Sequence, residues 1–133
     1  MSGHMSRNKG ARGERELFAL LSERLGHLVT RNLSQTRDAG CDSLSVPGFA
    51  IECKRVESAF QNAWMAQAIA STRPGHEIPV VFYRASRHPW RAAFRTSDLL
   101  GSPAYTGLAH LDLDDAATVM REGIPVTGRY TTL

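Results

Sequence analysis

Residues 14–25 place Leu17, Leu20, Leu21 and Leu25 at helical spacing, with Phe18 beside them and Gly26 directly after. An i, i+3, i+4, i+8 stripe is the apolar side of an amphipathic helix, and a glycine past its end is a common stop. Glu14 and Glu16 fall in the first turn of that predicted helix, where the dipole favours carboxylates. Residues 8–13, just before, are basic and glycine-rich. Residues 27–33 alternate, Leu28 and Thr30 against Val29 and Arg31, and predict a first strand. A polar loop, 34–40, follows, ending on Gly40, which is free to take a positive φ.

Two further strands are predicted at 42–46 and 49–53, joined by the turn dipeptide Pro47-Gly48. Residues 62–71 are alanine-rich and predict a helix that ends before Pro74-Gly75. Its apolar side is Trp64, Ala68 and Ser71 with Met65 and Ile69. The compact apolar run 78–83 reads as a buried strand, Ser86-Arg87-His88-Pro89 as a turn, and 90–95 as its hairpin partner. A brief helical turn, 97–100, starts on Ser97 as N-cap. After Gly101 the pattern weakens to a short helix at 114–121, closed by Gly123, within an otherwise irregular appendage. The predicted order is helix, three strands, helix, two strands: an α/β fold with a mixed central sheet flanked by helices.

Composition changes this picture little. Residues 1–5 look like a cloning scar, and 6–133 read as one domain, its core about 9–100 and its appendage 101–133. No apolar run approaches a membrane span and no signal peptide is visible. Two cysteines, Cys41 and Cys53, have neither metal-site spacing nor the density of a disulfide framework, which fits a reducing cytoplasm. A net charge of +3 and pI near 9.2, carried mainly by arginine, permit a nucleic-acid partner without requiring one.

The chemistry concentrates between Asp42 and Lys54. Glu52 and Lys54 are two apart on a predicted strand, so they share a face, and a hairpin through Pro47-Gly48 returns Asp42 beside Glu52. Asp42 and Glu52, with the Cys53 carbonyl, suit a hydrated Mg²⁺, with Mn²⁺ as a substitute. Lys54 could orient the attacking water and offset charge at a phosphoryl group. Cys53 points to the opposite face as a small apolar filler. Standing alone, Asp followed at a distance by Glu-x-Lys is expected by chance roughly 0.3 times in such a chain. Its setting raises it: an apolar strand ahead, a turn in the right place, and basic residues on both sides. Arg12 and Arg15 flank Glu14, Ser34 and Arg37 lie in the polar loop, and Arg55 follows Lys54, all candidate phosphate contacts. Gln67 could reach the acidic centre from the second helix.

The run Lys9-Gly10-Ala11-Arg12-Gly13-Glu14-Arg15-Glu16-Leu17, then Arg31, Asp42 and Ile51-Glu52-Cys53-Lys54, resembles the archaeal-type Holliday junction resolvases of the PD-(D/E)xK nuclease superfamily. Phage-encoded relatives of those enzymes share the pattern. The resemblance covers about residues 9–100 and includes Ile78-Pro79-Val80-Val81-Phe82 and Trp90-Arg91-Ala92-Ala93-Phe94 as the next strands. It implies a restriction-endonuclease-like core in which Glu14 completes the acidic cluster, Asp42 and Glu52 bind the metal, and Lys54 is catalytic. It also implies Arg15 and Arg31 near the DNA backbone, the 34–40 loop near the scissile strand, and a homodimer acting on four-way junctions. The usual Pro-Asp is Cys41-Asp42 here, and residues beyond 100 have no counterpart. The alternatives are a restriction-like or repair endonuclease cutting duplexes or flaps, and an inactive DNA-binding module on the same fold.

Overall fold

The computed structural model describes residues 2–32, 41–73 and 75–124. Its elements are α1 (Ser2–Leu25), β1 (Phe49–Arg55), α2 (Asn62–Ala70), β2 (Ile78–Arg84), β3 (Arg91–Arg95), α3 (Thr96–Leu100), β4 (Leu108–Asp112) and α4 (Leu113–Glu122). The strands form one mixed sheet in the order β1-β2-β3-β4, with β1 and β2 parallel and the other pairs antiparallel. The parallel pair needs a crossover, and α2 supplies it. The sheet flanked by helices agrees with the α/β architecture predicted from the pattern.

Alternation along the strands divides the core between the two faces of the sheet. On one face Ile51, Val80, Phe82 and Phe94 pack with Leu17 and Leu21 of α1 and Met120 of α4. On the other, Val81 and Ala93 pack with Trp64, Met65 and Ala68 of α2. The leucine stripe of α1 is therefore the buried one, with Leu17, Phe18, Leu21 and Leu25 all in the core. Gly26, at φ 80°, closes the helix with its N–H on the Ser22 carbonyl at 3.0 Å. No helix among the described residues is long and apolar enough to cross a membrane.

Four expectations need correction. Helix α1 begins at Ser2, well before Glu14, and its first turn holds no acidic residue. Glu14 and Glu16 are thus mid-helix, beyond the reach of the dipole argument. Its three glycines, Gly3, Gly10 and Gly13, only weaken the helix, by about 1 kcal/mol each relative to alanine, and propagation from the packed leucine turns carries α1 across them. Glu16 instead accepts hydrogen bonds from Arg84 Nη1 at 2.6 Å and Trp90 Nε1 at 3.0 Å, tying α1 to β2 and to the start of β3.

The predicted strand at 27–33 is not a strand through Asn32, and 42–46 is reduced to a single bridge, Ser43 to Ile51. Side chains take the place of the expected ladder. The Ser43 hydroxyl donates to the Thr30 carbonyl at 2.6 Å, and Thr30 N–H donates to Ser45 Oγ at 2.9 Å. Likewise Val29 N–H donates to Ser22 Oγ at 2.8 Å, so the backbone groups are met without regular pairing. The turn between them does form: Phe49 N–H donates to the Val46 carbonyl at 3.1 Å, with Gly48 at φ 86°. A positive φ at that position is what a type II turn requires, and glycine meets it without strain.

Residues 101–124 are not an irregular appendage: the helix expected at 114–121 forms as α4, with Gly123 at its end, and a strand not expected, β4, precedes it. β4 pairs with β3 from Arg91↔Asp112 to Arg95↔Leu108, and α4 buries Ala116, Ala117 and Met120 in the core. Asp112 caps α4 by accepting the Asp115 N–H at 2.8 Å, and Asp114 pairs with Arg24 Nε at 2.5 Å. The fourth correction concerns Ser97, which sits inside α3 rather than capping it. The N-cap is Arg95, with no side-chain cap bond.

Candidate active site

The site forms where the outer edge of β1 meets the segment that carries Asp42. The Ser43–Ile51 bridge sets the register: Asp42 and Ser43 N–H both point to the Ile51 carbonyl, and Ile51 N–H returns to Ser43 at 3.0 Å. One residue pair further along, the Asp42 side chain takes the place a strand would occupy. Its Oδ2 accepts the Cys53 N–H at 2.7 Å. A strand residue directs its N–H and C=O to the same side, so the Cys53 carbonyl also faces this edge.

Glu52 and Lys54 leave β1 on the α2 face, as their spacing requires. Glu52 is only 8% exposed and accepts a hydrogen bond from the Ser71 hydroxyl at the end of α2, at 3.4 Å. Lys54 Nζ donates to Gln67 Oε1 at 3.1 Å, one turn earlier on α2. Glu14 arrives from the other face, on α1, half-buried and with Arg31 Nε at 3.8 Å from its Oε1. Both Glu14 and Glu52 lie within hydrogen-bonding reach of Asp42. The structure therefore gathers Glu14, Asp42, Glu52 and Lys54 at one sheet edge.

The electrostatics follow from that crowding. Burial and then the Asp42 charge push the Glu52 carboxyl up to about 7, against the opposing pull of Lys54. Glu14 is raised for the same two reasons, with Arg31 opposing. Cys53 and Cys41 are free thiols held protonated: burial raises both, and the carboxylates beside them add to it, Cys41 reaching about 11. Neither is poised as a nucleophile.

Two carboxyls raised by the charge of a third, Asp42, are a donor set that a divalent cation would relieve. Among the described residues no three His, Cys, Asp or Glu side chains form a ready-made metal cage. Mg²⁺ does not need one, since it keeps several waters and takes one or two carboxylates plus substrate oxygens. Asp42, Glu52 and the Cys53 carbonyl fit that requirement.

The predicted DNA contacts are placed less uniformly. Arg12 and Arg15 are exposed on α1, and Arg31 is exposed beside Glu14. Arg55 lies with its stem under α1: a Cβ built on Gly13 would stand 2.8 Å from Arg55 Cβ. Ser34 and Arg37 lie outside the described residues. Two residues of the site escaped the sequence reading. Ser71 reads from the sequence as part of the apolar side of α2, and Gly13 as part of a basic, glycine-rich stretch. The spacing of Gln67 and Ser71, one helical turn apart, places both on one face and could have pointed to Ser71.

Gln67 offers a direct check on how Lys54 is held. Under the catalytic role that the resemblance implies for Lys54, replacing Gln67 with alanine is expected to lower the turnover of cleavage about tenfold while leaving DNA affinity within twofold, because only the orientation of the lysine is lost. Single-turnover kinetics alongside equilibrium binding would read this, and an unchanged rate would remove Gln67 from the positioning role.

The sequence matches one family model over residues 5–118, described as "Phage putative PDDEXK endonuclease". Searches of curated proteins and of solved structures found no match. The family match supports the nuclease superfamily and a phage connection, while the narrower likeness to archaeal-type junction resolvases is not what it identifies. The matched span covers most of the chain and contains every residue of the acidic edge, together with β4 and the first turns of α4. This chain belongs to the phage PDDEXK endonuclease family, and it is a nuclease.

Proposed function

We propose that the protein is a Mg²⁺-dependent endonuclease that hydrolyses phosphodiester bonds in DNA at branched positions, with a four-way junction as the first substrate to try. The observation that carries this is the convergence of Asp42, Glu52 and Lys54 at β1, with Glu14 reaching over from α1. A divalent cation there would lower the pKa of a bound water and polarise a phosphoryl oxygen. Asp42 is oriented for the task, because the Cys53 N–H holds its Oδ2 at 2.7 Å. Gln67 accepts one of the three Lys54 protons, which leaves the ammonium free to orient the attacking water and to meet charge developing on the phosphate. Arg31, beside Glu14, borders this edge as a cation for a flanking phosphate, and Arg12 and Arg15 are exposed on the same helix as Glu14. A two-fold junction is best matched by a two-fold enzyme, so a homodimer accompanies this reading.

The test is incubation with Mg²⁺ and labelled four-way junction, flap, linear duplex and single-stranded DNA. Paired symmetric nicks confined to the junction are the expected result. Cutting of linear duplex would replace junction resolution with a restriction-like activity. Binding without cleavage in either Mg²⁺ or Mn²⁺ would leave only a DNA-binding module.

A further inference from the structure

The row of the sheet that holds Lys54 continues into a patch that hydrolysis itself does not use. Strand register sets Lys54 beside Tyr83, and Tyr83 beside Arg91. Directly paired residues share a face, so all three lie on the α2 side of the sheet. Arg91 is paired in turn with Asp112, and His110, two residues from it on β4, shares that face. The Tyr83 hydroxyl and His110 Nδ1 share a hydrogen bond of 2.6 Å that spans β3. Phe60, in the loop leading into α2, packs edge-on to His110 with ring centres 4.9 Å apart, and tilted against Tyr83 at 5.0 Å.

The place of this cluster matters as much as its composition. Helix α2 packs Trp64, Met65 and Ala68 against Val81 and Ala93, one row further from the Lys54 end of the sheet. At the rim of this cluster Phe60 and Tyr83 are half-buried, and Arg91 and His110 are exposed, His110 lying on the neighbouring row opposite Ala93. Strands lie about 4.8 Å apart, so Tyr83 is one strand from the catalytic lysine and Arg91 roughly 10 Å away. Such a span accommodates the nucleotide next to a scissile phosphate. Burial and the Arg91 charge hold His110 below its usual range, so its ring is neutral and suited to a base rather than to a phosphate.

We propose that Phe60, Tyr83 and His110 form a stacking subsite for an unpaired base beside the scissile phosphate, with Arg91 on the adjoining phosphate. The proposal rests on the nuclease reading above and deepens it by naming the substrate feature recognised. Aromatic rings accept any base, because every base has a π face, but that face is free only where the base is out of the duplex stack. A guanidinium at the edge supplies the charge for the backbone. The enzyme would accordingly favour DNA with a single-stranded position at the cut.

The experiment compares a linear duplex with the same duplex carrying a single-stranded flap, in Ca²⁺ so that binding is read without turnover. Phe60→Leu and His110→Ala are each expected to bind the flap DNA about tenfold more weakly and the linear duplex as wild type does, with Phe60→Tyr restoring flap affinity. A 2-aminopurine in the flap should be quenched by the wild-type protein and not by Phe60→Leu. Equal flap affinity for variants and wild type, or equal losses on both DNAs, overturns the subsite and leaves the nuclease reading standing. A wild-type protein that binds neither DNA overturns both.

Discussion

Replacing Glu52 by glutamine is expected to reduce cleavage by on the order of 10³-fold and, in the same protein, to raise thermal stability at neutral pH. The first effect follows from the proposed role of Glu52 as one of two carboxylates for the metal. The second follows from burial. Glu52 is raised to about 7 in the folded chain from an ordinary value of 4.5, with burial first and Asp42 second as causes. The folded state then holds a proton that the unfolded chain releases. Stability is therefore full below the unfolded value and is lost as pH climbs from about 4.5 through about 7. The whole shift is worth up to roughly 3 kcal/mol.

Glutamine lacks that liability. Thermal melts in EDTA should show Glu52→Gln more stable than wild type by several degrees at pH 8, with the gap closing at pH 4.5 or below. Adding Mg²⁺ should raise the melting temperature of wild type more than that of the variant, since the cation relieves the crowding only where both carboxylates are present. A variant that cleaves normally would displace Glu52 from the site. A variant that melts below wild type at pH 8 would mean that its contact with Ser71 outweighs the cost of burying the charge.

A second large effect is expected at Gly13, where the usual sign of a glycine substitution reverses. Within a helix, Gly→Ala normally stabilises by about 0.5–1 kcal/mol. At Gly10 nothing lies within 4 Å of a built Cβ, so that gain is expected. At Gly13 the new methyl would meet Arg55 Cβ at 2.8 Å and Cδ at 3.2 Å, too close without movement of α1 from β1. Overpacking of this kind costs about 1–3 kcal/mol. The displacement also moves Glu14, the next residue, away from Asp42, and misplacement by about 1 Å can cost 10²-fold in rate. Gly10→Ala should therefore melt higher and cleave normally, while Gly13→Ala melts lower and cleaves about 10–10²-fold more slowly. Equal behaviour of the two variants would show that the close packing of α1 on β1 does not position the site.

The parts that the sequence determined are those whose signal is local. The leucine stripe from Leu17 to Leu25 specifies the buried side of α1 whatever it packs against. Pro47-Gly48 specifies a tight turn, because one residue restricts φ and the other tolerates φ of 86°. The two-residue spacing of Glu52 and Lys54 puts them on one face of any strand. Strand β4 was not visible, because Leu-Ala-His-Leu-Asp alternates poorly and is only partly buried at the sheet edge. Nor was the loss of a ladder at 27–32, since only the fold shows that the hydroxyls of Ser43 and Ser45 satisfy the backbone there.

Tertiary structure alone decided how the acidic edge is assembled. Glu14 and Glu16 look alike in the sequence, yet one turns toward Asp42 and the other is held by Arg84 and Trp90. Their bearings differ by two helical positions, about 200° around the axis, and only the packing of α1 on the sheet says which bearing meets the β1 edge. Gly13 is the residue that lets that packing come close. The sequence thus specified which groups could carry out the chemistry, and long-range packing chose which of them meet, because contacts between distant segments are set by the shape of the whole core rather than by any local pattern.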